Sequence, residues 1–118
     1  MKEYVLKNGL LLIDKMDNRY KEYISEKEKT GISPDELWSL DHSLSIFLLP
    51  RLKTFKERKG GYPAHLGSVE KWDEILESMI KAFTIIANDE HCFPDEARQK
   101  ILDTGLDNFS KYLMDLWS

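Results

Sequence analysis

Apolar residues recur at three- and four-residue intervals in four stretches of the chain, and glycine, proline and capping residues lie between those stretches. In the first stretch, Ile13, Met16, Tyr20, Tyr23, Ile24 and Lys27 follow one stripe, which predicts a helix from about Leu10 to Lys29. Gly31 then ends it as a left-handed cap. A competing signal lies in YVLKNGLLLI, where Asn8-Gly9 between apolar runs has the composition of a two-residue hairpin turn. Residues 4–13 are therefore open between hairpin and helix, with helix preferred over the second half.

The second stretch opens on SPDE, where Ser33 supplies a cap, Pro34 suits the first helical position and Glu36 stands third, as in a capping box. With Leu44 at the centre of an inner face, Leu37, Leu40, Phe47, Leu48 and Phe55 fall beside it at 100° per residue. Ile46, Leu49 and Trp38 fall on the other side. A helix apolar on nearly every face is expected at the centre of a bundle. Pro50 has no amide hydrogen and crowds the preceding turn, so a kink or restart is expected near Ile46–Pro50.

KGGYPAHLG reads as a loop, and Ser68 as the cap of a third helix, Val69–Ala87, with Trp72, Ile75, Leu76, Met79, Phe83, Ile86 and Ala87 on one stripe. Pro94, Asp95 and Glu96 open a last helix carrying Ala97, Ile101, Leu102, Leu106, Phe109, Leu113, Leu116 and Trp117, with Gly105 as a possible break. Four to five helices with short connections predict an all-α, single-domain bundle over residues 1–118, its central helix kinked at Pro50.

The 118 residues suffice for one domain with a real core, and 42% hydrophobic with 32% charged residues is the composition of a globular protein. The apolar runs are far shorter than a membrane span and no secretory leader is legible, so the chain reads as a protein of the cytosol without a membrane partner. A net charge of -4 argues against a general nucleic-acid binder. Five of the 17 bases, Arg51, Lys53, Lys56, Arg58 and Lys59, nevertheless stand in nine residues that hold one acid, Glu57. Such a run is more often a solvated helix end than a binding site.

Asp41 and Arg51 are the residues that ask for chemistry. On the same wheel Asp41 lies about 60° from Leu44 and Arg51 about 20° to the other side, and the two are about 15 Å apart along a straight helix. Buried, each charge requires a partner, and they are too distant to serve one another. One reading has Asp41 capping or bonding a neighbour and Arg51 reaching solvent past Pro50. The other has a pocket of Trp38, Asp41, Arg51 and Tyr62 with the basic run at its rim, suited to a small anion with an aromatic part.

No phosphate-loop or dinucleotide pattern is present, and no cofactor is implied. His42, His65 and His91 lie in separate segments, and the single Cys92 reads as a small core residue, so neither a metal site nor a catalytic set is expected. Trp38, Trp72 and Trp117 each head or close an apolar stripe and are expected in the core; gathered on an exposed face, they would indicate a protein partner instead.

The blocks GISPDELWSLDHSLSIFLLPRLKTFK, GYP, WDEILESMIKAF and LDNFSKYLMDLW, in that order from Gly31 to Trp117, resemble a family of small uncharacterised proteins encoded in bacteriophage and prophage genomes. Residues 1–30 lie outside the resemblance. It implies a compact helical fold of phage origin in the bacterial cytosol and carries no activity onto any residue. A non-enzymatic interaction protein, binding a host or phage protein or a small anionic ligand, is the leading expectation, with self-association of identical chains. The alternatives are a virion assembly or packaging subunit, and a weak nucleic-acid binder acting through residues 51–59.

Overall fold

A computed structural model describes Tyr4–Leu6, Gly9–Leu11 and residues 16–117. Among these residues the fold is all-α, with five α-helices and a short antiparallel ribbon. It divides into two compact units, Met1–Leu44 and Ser45–Ser118.

In the first unit, β1 (Tyr4–Leu6) pairs with β2 (Gly9–Leu11) in the register Tyr4↔Leu11 and Leu6↔Gly9. The hairpin signal therefore prevails over the helical stripe at Leu10, and α1 (Tyr20–Thr30) starts ten residues later than expected. Asn8 and Ile13 lie outside the described residues. Met16, placed on the stripe by its spacing, precedes the helix and is 91% exposed. Two residues apart, Asp17 and Arg19 form a bidentate pair just before α1, with Arg19 Nε and a terminal nitrogen donating to the two carboxylate oxygens at 3.1 and 3.0 Å. That pairing holds the Asp17 carboxyl below its ordinary pKa.

Gly31 ends α1 at φ 79°, its N–H bonded to the Lys27 carbonyl at 2.8 Å, a conformation open to glycine at little cost. Helix α2 (Pro34–Trp38) follows at once, with Ser33 as its cap and Pro34 at its first position. Ser39, at φ -134° and ψ 72°, interrupts the helical path, and α3 (Leu40–Arg58) resumes it. The buried Ser43 spans this break by donating its hydroxyl to the Glu36 carbonyl at 3.0 Å. The helix then runs through Pro50 as one element, without the restart that was one of the two outcomes expected there, and the break in the helical path lies at Ser39.

Nor is α3 packed on all faces. Leu40, Leu44 and Phe47 are exposed, while Ser43 and Ser45 are buried. With apolar residues all around it, this helix has no dominant stripe, so periodicity could not select the inward face.

The second unit holds the hydrophobic core. It is built from Leu52 of α3, from α4 (Val69–Ala87), and from Leu102 and Tyr112 of α5 (Glu96–Tyr112). Ser68 and Asp95 cap α4 and α5 by accepting from the backbone N–H groups of Lys71 and Arg98. Trp72 is fully buried, with Phe55 and Tyr112 edge-on at centroid distances of 6.4 and 6.0 Å. The buried face of α4 is wider than its expected stripe, because Ile80, Ala82 and Ile85 are enclosed as well. Gly105 does not break α5; it is buried against Ser78 and Ala82 of α4.

Two of the three tryptophans depart from the core expectation, Trp38 at 87% and Trp117 at 80% exposed, and Cys92 is exposed too. Trp38 ends α2, Cys92 lies within the connection from α4 to α5, and Trp117 follows the last helical turn, so none stands in the interior of a helix.

Candidate functional site

The four residues singled out for a pocket fall on both sides of the division between the units, Trp38 and Asp41 in the first, Arg51 and Tyr62 in the second. All four are exposed. Trp38 ends α2 between exposed Leu37 and Leu40. Asp41 stands in the first turn of α3, where a carboxylate complements the positive end of the helix dipole.

Arg51 has a local explanation for its place in an apolar run. Pro50 cannot donate to the Ile46 carbonyl, and the ladder is weakened at that turn. Beside the gap, Arg51 folds back along its own helix and donates from a terminal nitrogen to the Phe47 carbonyl at 2.8 Å. Its guanidinium carbon lies 3.8 Å from the centre of the Phe47 ring, a cation–π contact. The arginine thus covers an exposed phenylalanine and keeps its charge in water. A shallow depression of about 530 Å³ adjoins it, lined by Pro50, Arg51, Thr54, Phe55 and Arg58.

The basic run is divided by its contacts. Lys56 pairs with Glu77 at 2.9 Å, and Lys59 pairs with Asp73 while also donating to the Lys56 carbonyl at 2.8 Å. Those two lysines fasten the end of α3 to α4. Arg51, Lys53 and Arg58 remain as exposed positive charge.

The first unit contains a buried ionic cluster that the helical stripe only hinted at. Lys27 is 1% exposed, and its ammonium donates to both Glu36 carboxylate oxygens at 2.7 Å. Glu36 also accepts the Ser33 backbone N–H at 2.7 Å and the Ser33 hydroxyl at 3.0 Å. The capping box and the salt bridge therefore share one carboxylate. Lysine at an apolar stripe position was the available signal; its partner, nine residues on, was hidden because it required knowing the turn at Gly31.

Next to this cluster, the Asp35 carboxyl is partly buried, and its Oδ2 has no hydrogen-bond partner among the described residues. Burial pushes its pKa up, partly opposed by Arg19. A raised folded-state value means that the fold favours the neutral acid: this contribution is complete below the unfolded pKa and is lost as pH rises through the folded one. Asp35→Asn is accordingly expected to raise the melting temperature at neutral pH, with the advantage over wild type shrinking as pH falls through the raised folded-state pKa and gone below the ordinary carboxylate value. Thermal melts at several pH values check this, and a variant equally destabilised at every pH would contradict it.

Among the described residues, no group of three or more His, Cys, Asp or Glu side chains is gathered to hold a metal ion. No described helix is long and apolar enough to cross a membrane. No family model matches the chain, and no curated protein or solved structure matches it.

Proposed function

We propose that the chain is a phage-encoded, non-enzymatic interaction protein of the bacterial cytosol, which binds a host or defence protein through the apolar surface around Trp38. The observation that carries this reading is the run Leu37, Trp38 and Leu40, all exposed at the junction of α2 and α3. Ile32 and Leu44 in the same unit are exposed as well. Single exposed leucines require no explanation, whereas an exposed tryptophan among several apolar neighbours is the composition of a contact surface. Tryptophan is also the side chain most often found to carry binding energy at such surfaces. The resemblance of Gly31–Trp117 to phage and prophage proteins supports a host target, since a binding role requires only complementarity and no catalytic set.

Trp38→Ser tests this directly. The variant is expected to keep its far-UV circular dichroism and melting temperature, because Trp38 contributes little to packing. It is expected to lose the host protein that the tagged wild type retains from a bacterial lysate. Unchanged retention would remove Trp38 from the interface. Concentration-dependent assembly of the wild type with no host protein bound would favour the assembly-subunit reading.

A further inference from the structure

We propose that the α3 face bearing Arg51 and Arg58 is a second binding surface, and that it receives an acidic helical segment of a partner protein with two carboxylates seven residues apart. The site lies within the second unit, and its residues are distinct from those around Trp38, so the two surfaces are tested separately. Seven residues bring a helix back to within about 20° of the same direction and advance it about 10 Å. Arg51 and Arg58 therefore stand in line, two turns apart, and both line the depression. Between them lie Thr54 and Phe55, with Pro50 just before Arg51, and no carboxylate lines the surface.

The charge on this face is available. Lys56 and Lys59 are taken up by Glu77 and Asp73, whereas Arg58 has no ionic partner among the described residues. Arg51 is held in place by the Phe47 carbonyl and ring through part of its fork, which leaves other N–H groups for a ligand. A fixed guanidinium loses less freedom on binding than a free side chain does, and its planar donors match a carboxylate.

A polyanion fits less well. A nucleic-acid strand requires a continuous positive track, but Lys53 is about 160° around the helix from Arg51, two lysines of the run are neutralised, and the chain carries a net charge of -4. An acidic amphipathic helix meets both parts of the face, its two carboxylates on the arginines and its intervening apolar residues on Phe55 and the methyl group of Thr54.

The probe is a fluorescent alanine-based helical peptide with glutamates at positions i and i+7 and leucines at i+3 and i+4, titrated against the full chain by anisotropy. Saturable binding is expected, about ten-fold weaker for Arg58→Glu and recovered when the facing glutamate of the peptide becomes arginine. Glutamine in place of both peptide glutamates is expected to abolish binding to the wild type. That arm decides the matter even if a protein variant fails to fold. No binding, binding insensitive to these exchanges, or tighter binding of a single-stranded oligonucleotide than of the peptide would each overturn the proposal.

Discussion

Lys27→Ala is expected to unfold the α1–α2 corner, or to lower its stability by about 3 kcal/mol, near the lower end of what breaking a buried ion pair costs. The reason is asymmetric. Removing the lysine loses two charge-assisted hydrogen bonds at 2.7 Å and leaves the Glu36 carboxylate with only the Ser33 donors. The Glu36 side chain retains 17% exposure, so water relieves part of the penalty, which is why the lower end applies. The capping box would be weakened at the same time, because that carboxylate anchors the start of α2. Domains of ordinary stability have about 5–15 kcal/mol in hand, so the loss is a large share for a unit this small. Lys27→Met combined with Glu36→Gln should be much less damaging than Lys27→Ala alone, since it removes both charges together and keeps an oxygen for Ser33. Urea titrations of the four-member cycle, with hydrogen exchange read over residues 20–44, measure the coupling. Additive losses would mean that the pair is solvated and contributes little.

How far the fold could be read ahead depended on whether a signal was local. Capping chemistry is local, and Gly31, Ser33, Pro34, Ser68 and Asp95 all sit at the ends assigned to them; α4 begins and ends where its stripe does. The N-terminal segment failed because two local signals conflicted, and pairing with a neighbouring strand decided in favour of the hairpin at Leu10. For α3, hydrophobicity was abundant but not directional. Leu52 is buried and Leu48, Leu49 and Phe55 pack on the core, and Ser43 and Ser45 are buried as well, while Leu40, Leu44 and Phe47 stay in water.

The candidate residues show the same contrast. The wheel set Arg51 beside an inward stripe, yet the residue is exposed, and a carbonyl four residues back and an aromatic ring engage it beside the weakened ladder at Pro50. In the basic run the deciding facts are long-range: which lysines meet Asp73 and Glu77 depends on how α3 and α4 cross, and no spacing in one segment encodes it. Trp38 was indistinguishable from Trp72 by pattern. Trp38 is in water, whereas Trp72 is enclosed in the core with Phe55 of α3 and Tyr112 of α5 edge-on to it.

Gly105→Ala sets helix propensity against packing. In an exposed helix the change would be favourable by about 1 kcal/mol, since alanine loses less backbone freedom. Here a Cβ built on the α5 backbone would overlap the Ser78 carbonyl oxygen and the Ala82 Cβ of α4. Neither atom belongs to a flexible side-chain end, so relief requires the two helices to separate. Separation would loosen the Phe83–Phe109 contact, with centroids 5.1 Å apart, and the hydrogen bond from the Asn108 amide to the Ser78 hydroxyl at 2.8 Å. Overpacking of this kind costs about 1–3 kcal/mol or more, and the immobile backbone oxygen places the cost at the upper end. The net expectation is a loss of about 2 kcal/mol, or roughly 10 °C in melting temperature for a unit of this size. Ala82→Gly should restore only part of it, because the Ser78 carbonyl remains in the way. Thermal melts of the two single variants and the double variant give the answer: a rise in melting temperature for Gly105→Ala would mean that α4 and α5 lie farther apart than described and that propensity, not close approach, governs position 105.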